Sequence, residues 1–378
     1  MRMRRFGTPA AAALIALALL AAPATAAART PDPYTPGVIV ATAPSGTNAY
    51  FPDIVRLAGG RLLAVYRVGA AHTGMDGRLM SVTSADGGRT WSRPRALIDT
   101  PYDDRDPKVT QVPGGDVLVS FFEIDWTDTP ATTRGTYVVR SHDVGTSWSA
   151  PAKIGTHMTG PSGTSDSGYW LGWDASHGPI TRAPDGDLLA PLYGTLPTDK
   201  WQRATVVRST DDGRTWKASS EVVIAAKDGT HFQEPVLTTL RDGEVVALIR
   251  TGTGIAYVSR SRDSGRTWTA PRSTGIPASS HHLLRLRDGR VLLTYGDVSG
   301  RFSAGRPTVG RLVAHPERSF AGSPDVLLYD AGGPGGAVSD QANPSSAEPS
   351  PGRFLTLTYD LSRHAIVGVF SRTRDYAP

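Results

Sequence analysis

Ser84-Ala85-Asp86-Gly87-Gly88-Arg89-Thr90-Trp91 is the stretch around which the chain is built, because its Ser-x-Asp-x-Gly-x-(Ser/Thr)-Trp frame returns three more times. The other copies run from Ser141 to Trp148, Ser209 to Trp216 and Ser261 to Trp268. In each, Ser and Asp side chains can bond nearby backbone amides, Gly supplies a dihedral other residues avoid, and Trp can tuck its ring between strands. That describes a hairpin turn, which holds a sheet together and does no chemistry. The aspartates at 86, 143, 211 and 263 lie 57, 68 and 52 residues apart. Such spacing suits one small sheet per repeat, as in a propeller of four-stranded blades.

This octapeptide is the Asp-box, or BNR, repeat, and on it the chain resembles the sialidase superfamily of six-bladed β-propellers over nearly all of residues 29–378. The resemblance implies an all-β fold with six blades, and a second pattern in the sequence agrees. Six segments read as a loop ending near Pro, a strand, a Gly turn and another strand. They begin at Tyr50-Phe51-Pro52-Asp53, Arg105-Asp106-Pro107-Lys108, His177-Gly178-Pro179-Ile180, Gln233-Glu234-Pro235-Val236, Ser280-His281-His282-Leu283 and Ala342-Asn343-Pro344-Ser345. No helical period is visible.

The ends and the charge bound what else the chain can be. Arg2, Arg4 and Arg5 precede an apolar run from Ala10 to Ala22 and then small residues, an order expected of a secretory signal over residues 1–28. One propeller domain is expected over 29–378, secreted and monomeric. The formal net charge of +5 includes those three arginines; without them 37 basic residues face 35 acidic ones, which gives no footing for nucleic acid or a membrane surface. With no cysteine, the fold must rest on its cores.

In a propeller the innermost strands start at the mouth of a central channel, so the loops before them converge. Those loops and the neighbouring hairpins carry His72, His177, His231, His281 and His282 with Asp53, Asp76, Asp103, Asp104, Arg105, Asp174, Glu234, Arg67 and Arg250. Titratable groups are costly at such inner positions unless paired, and their clustering points to a ligand site. Glu234 and Arg250, 16 residues apart, should stand side by side where one hairpin returns to the mouth. Asp174 could orient His177 as a base, and Trp173 could stack on a sugar. Pro161 to Gly172 reads as a long loop.

The resemblance implies a carbohydrate substrate with a terminal, acidic sugar. By it, Glu234 and Arg250 match the Glu and one Arg of an anionic-sugar clamp, and Asp76 matches an acid/base Asp. Arg306 or Arg311 matches a blade-five arginine. The chain departs from the family in two places. Phe51 replaces the first clamp arginine, and Asn343 stands where a nucleophilic Tyr belongs. What the site has instead is histidine and Arg105, which resembles the propellers that cleave rhamnose–glucuronate linkages. The catalytic candidates are therefore Asp76, Glu234, His72 and His177. Arg67, Arg105, Asp174, His231, Arg250, His281, Arg306 and Arg311 are candidates to hold substrate. A glycan-binding propeller without catalysis is the third alternative. No His-x-His or His-x-x-x-His spacing suggests a metal, and no glycine motif suggests a nucleotide, so no cofactor is expected.

Overall fold

The computed structural model describes residues 32–127, 131–158, 163–164, 170–171 and 174–377, within one compact unit, Pro31–Pro378. The expected signal over 1–28 and Trp173 lie outside the described residues. So does the expected 161–172 loop, apart from Gly163–Thr164 and Trp170–Leu171, which pair antiparallel.

Six antiparallel sheets follow one another along the chain. Blade one comprises Asn48–Arg56, Leu62–Gly69, Arg78–Ser84 and Arg95–Ile98, and blade two Asp103–Gln111, Val117–Asp125, Thr132–Ser141 and Ala152–Lys153. In blade three the inner strand is split into Asp174–Ser176 and Thr181–Arg182, both pairing Leu188–Gly194, followed by Arg203–Ser209 and Val222–Ala225. Blade four is Phe232–Thr239, Val245–Thr251, Tyr257–Ser261 and Arg272–Ser273, and blade five Ala278–Arg285, Val291–Asp297, Thr308–Val313 and Asp325–Tyr329. Blade six, Ser345–Ser350, Arg353–Asp360 and Ala365–Arg372, takes its outer strand from Val38–Thr42 at the other end of the chain. That exchange closes the ring, and the expected all-β, six-bladed propeller is what forms.

Apolar cores lie between blades. Leu63, Val65 and Leu79 of blade one pack with Val109, Val117 and Val119 of blade two, and equivalent clusters fill the other five junctions. The box tryptophans belong to these junctions: Trp216 is part of the core between blades two and three, and Trp268 packs on the core between three and four. Within a box the Asp does what its turn requires. Asp86 accepts from the amides of Arg89 (2.9 Å) and Thr90 (3.0 Å) and from the Thr90 hydroxyl (2.6 Å), so its carboxyl lies well below the usual range.

A second device repeats beside the boxes. Arg140, Arg208 and Arg260 each pair with an acid of their own blade, Asp116, Asp187 and Glu244. Each also donates to a backbone carbonyl of the next blade, that of Asp212, Ser264 and Pro316 respectively. These arginines latch blade to blade.

One backbone irregularity positions the site. The inner strands of blades one, two, four and five carry a bulge at the same step, seen as register shifts at Tyr50/Asp53, Arg105/Lys108, Gln233/Val236 and Ser279/His282. At these bulges Phe51, Asp106, Glu234 and Ser280 have φ of 51°, 46°, 48° and 46°. A left-handed non-glycine residue costs about 1–2 kcal/mol. Three of the four also precede a proline, which ordinarily keeps its predecessor extended. The bulges turn Phe51, Glu234 and Ser280 toward partners in other blades, as their contacts show.

Candidate active site

Glu234 is the hub of the first group. Its Oε1 accepts from Arg250 Nη1 at 2.6 Å, its Oε2 accepts from the Ser280 hydroxyl at 3.4 Å, and the same oxygen lies 3.9 Å from His177 Nε2. The hairpin explains the first contact, since Gln233 and Arg250 are cross-strand partners. Burial alone would raise the Glu234 carboxyl, but the Arg250 guanidinium holds it down to about 2. It is a permanent carboxylate.

The imidazoles around it are neutral. Burial pushes His177 well below 6.5 against the pull of Glu234, and His177 Nδ1 is buried with no hydrogen-bond partner. His281 donates from Nε2 to the Leu248 carbonyl at 2.9 Å, which places its proton there and leaves a lone pair on the unpartnered Nδ1. Burial takes His281 down to about 4 and His282 to about 3. His282 accepts at Nδ1 from the Ser346 amide, 3.3 Å away. Asp106 is buried with Oδ1 unpartnered, and burial raises it against Arg105 and Lys108. The buried Tyr193 phenol is pushed well above its usual value by burial, with Glu234 and Asp106 adding to the effect.

A second group spans blades five, six and one. Asp340 Oδ1 accepts from the Tyr359 phenol at 2.7 Å and lies 3.0 Å from His72 Nδ1. Arg306 donates to the Gln341 carbonyl (2.7 Å), the Ser279 hydroxyl (3.4 Å) and the Tyr359 oxygen (3.4 Å). Phe51 sets its ring against His72 and Tyr359, at centroid distances of 5.0 and 5.8 Å. Arg105 lies over Phe51 at 5.2 Å and within 6.0 Å of the Phe122 and Trp126 rings, donating to the His72 carbonyl (2.7 Å) and Asp103 (2.9 Å).

The structure thus brings His177, Glu234, Arg250 and His281 together, and gathers His72, Arg105 and Arg306 into a neighbouring cluster. Other candidates are engaged elsewhere. Arg67 is fully buried and donates to Asp103 (2.7 Å) and the Ala71 carbonyl (2.9 Å). Asp103 accepts in addition from Trp126 (2.8 Å) and the Gly74 amide (3.2 Å), which makes it a knot of structure. Asp76 accepts from the Ala70 amide at 2.6 Å and holds its own loop. Asp174 accepts from the Thr133 hydroxyl (3.0 Å) and the Thr136 amide (3.2 Å) of blade two and does not hold His177; burial takes it up to about 6. His231 accepts from the Gln202 amide at 3.2 Å and meets Trp201 edge-on at 4.8 Å. Arg311 is held in the outer half of blade five, where Asp325 takes it in a fork at 2.7 and 2.6 Å. Asp53, with Ser345 at 2.5 Å and the Val109 amide at 2.6 Å, stitches blades six, one and two together.

Asp106, Lys108, Tyr193, Ser280 and Asp340 were not singled out as site residues from sequence. Asp106 had a usable signal, because Asp106-Pro107 occupies the same step as Glu234-Pro235. Among the described residues no three His, Asp or Glu side chains are grouped to hold a metal ion.

Residues 102–305 match the BNR repeat-like domain. Among solved structures, the chain is similar to a protein of unknown function from Dyadobacter fermentans, at 25% identity and a TM-score of 0.75, covering 88% of this chain and 96% of that one. It is similar in fold to the NanB sialidase of Streptococcus pneumoniae, at 14% identity and a TM-score of 0.65, over 92% of this chain and 71% of that one. A Penicillium chrysogenum α-L-arabinanase complexed with arabinobiose shares the fold too, at 14% identity and a TM-score of 0.64, over 91% and 99% of the two chains. A search of curated proteins finds no match.

Proposed function

Because this chain belongs to the BNR repeat-like family of sialidase-like β-propellers, we propose that it is a secreted carbohydrate-active enzyme that hydrolyses the linkage to a terminal acidic sugar. The observation that carries this reading is the meeting of Glu234, Arg250 and His177 from blades three and four at one point. Arg250, oriented by Glu234, offers its guanidinium to the sugar carboxylate. Neutral His177 takes a proton from the attacking water, and the fixed charge of Glu234 stabilises the imidazolium that forms. The new bond joins the water oxygen to the anomeric carbon, the glycosidic C–O bond breaks, and the departing oxygen receives a proton from Asp106, whose carboxyl burial raises above its ordinary value.

Water is preferred over a tyrosine as nucleophile because Asn343 occupies the expected tyrosine position. Tyr359, which does reach this region, is bonded to Asp340 and Arg306, and burial pushes its phenol up. A second reading is elimination at a uronate, in which His177 removes the carbon-bound proton, Arg250 neutralises the carboxylate and Tyr193 protonates the leaving oxygen. The Tyr193 phenol, kept protonated in electrostatic reach of Glu234 and Asp106, favours it.

Incubation with a fluorogenic sialoside and with uronic-acid polysaccharides, followed by release of reducing ends and by ultraviolet absorbance of unsaturated uronates, separates the two. Reducing ends without absorbance support hydrolysis, and both signals together support elimination. Saturable glycan binding with neither signal would make the protein a lectin-like propeller.

A further inference from the structure

We infer that a pocket built around Trp201 is a saccharide subsite that takes the sugar on the leaving side of the cleaved bond, and that this sugar belongs to an acidic oligosaccharide. The inference rests on the proposed reaction for what lies next to it, but the pocket stands on its own geometry. Its cavity of about 430 Å³ lies between the 195–202 hairpin of blade three and the 226–230 loop that leads into blade four, and Asp199, Lys200, Trp201, Arg203, Lys227 and Asp228 line it. That volume lies within the range of small-ligand sites, which run from about 300 to 1,000 Å³.

The walls are fixed. Asp199 holds Arg203 in a fork at 2.6 and 2.7 Å and accepts from the Leu196 amide at 2.9 Å, which locks the hairpin. The loop is closed by the bridge between Lys227 and Thr230. Hairpin and loop are joined where the Phe232 amide donates to the Gln202 carbonyl at 2.9 Å and where Gln233 donates to the Gln202 side chain at 2.5 Å. His231 meets the Trp201 ring edge-on at 4.8 Å, which fixes the indole, and Trp201 stays half-buried in the pocket wall. A rigid aromatic wall among polar groups offers a sugar ring an apolar contact while its hydroxyls find partners.

Charge and distance set the ligand class. Once Arg203 and Asp199 cancel, Lys200 and Lys227 outweigh Asp228, so the pocket favours a carboxylate or sulfate on the ring. His231, which holds Trp201, is three residues before Glu234, and an extended strand covers about 10 Å in that interval. A disaccharide bridges that gap.

The test is calorimetric titration of the full chain with oligogalacturonates, hyaluronan fragments and 3′-sialyllactose, each beside its own acidic monosaccharide. The tightest oligosaccharide should bind about tenfold more weakly to Trp201→Ala, and Trp201→Phe should recover most of the loss. The monosaccharide should bind both equally. Lys227→Glu, on an exposed loop, should weaken binding several-fold at low salt and little at high salt. It keeps the proposal open to refutation if the tryptophan variant does not fold. Unchanged affinity in Trp201→Ala, or no oligosaccharide bound more tightly than its monosaccharide, overturns the subsite. Loss on Arg250→Ala but not on Trp201→Ala leaves the proposed reaction standing without this subsite. The reverse pattern leaves the subsite without that reaction.

Discussion

His177 Nε2 stops 3.9 Å from Glu234 Oε2, too far for a hydrogen bond and close enough for an ion pair. Burial keeps the imidazole neutral while Arg250 keeps the carboxylate charged. The pair is therefore asymmetric at rest, and a proton arriving on His177 meets a ready counter-charge.

Glu234→Gln removes the counter-charge and keeps the shape. The expected result is a fall in kcat of about 10²- to 10⁴-fold, the usual contribution of general acid–base catalysis, with KM changed far less. Steady-state kinetics on whichever acidic glycan proves to be cleaved checks this.

Arg250→Lys retains a positive charge but loses the planar fork, so the two substitutions should differ in kind. KM for an acidic sugar is expected to rise about tenfold or more, with a smaller effect on an esterified version of the same substrate. A comparison of the two substrates in the same assay reads the difference.

Asp104 gives a pH signature unconnected with catalysis. It faces Glu123 directly across two strands, and burial first, then Glu123 and Asp103, push it up to about 7. A carboxyl raised above its unfolded value near 3.9 contributes stability that is full below that value and is lost as pH rises through about 7. Asp104→Asn should thus raise Tm at pH 8 relative to the parent and bring little gain near pH 4. Thermal melts at the two pH values check the sign.

Arg208 should matter to the ring and not to the reaction. It bonds Asp187 at 2.8 Å and the Ser264 carbonyl of the next blade. Removing one partner of such a part-buried, charge-assisted pair costs about 1–3 kcal/mol. Arg208→Ala is expected to lower the denaturant midpoint while leaving kcat and KM unchanged.

How much could be read from the sequence differs between fold and site. The four boxes were visible because a turn is a local code: Asp86 bonds residues only three and four positions on. Blade five shows the limit of that code. The corresponding place in blade five reads Val313-Ala314-His315-Pro316-Glu317-Arg318-Ser319-Phe320, without the box frame, yet Arg260 latches onto Pro316 and Phe320 joins the apolar core. The supply of blade six by Val38–Thr42 has no local signature, because it depends on closure of the whole ring.

In the site, the proximity of Glu234 and Arg250 was legible because one hairpin joins them. Arg67 and Arg311 are indistinguishable from Arg250 as residue types, and His231 from His177. What separates them is the partner each finds: Asp103 for Arg67, Asp325 for Arg311, and Trp201 with Gln202 for His231. Such partners come from other strands or other blades. The bulges at Phe51, Asp106, Glu234 and Ser280 are likewise invisible without the ladder registers.

The most direct test of the central claim is a crystal structure of the protein soaked with the acidic sugar of the proposed reaction. The expected result is the sugar carboxylate within about 3 Å of the Arg250 guanidinium, the usual charge-assisted distance, with the ring over Glu234 and His177. A sugar bound away from Arg250, or bound there with its carboxylate turned to solvent, would contradict the account.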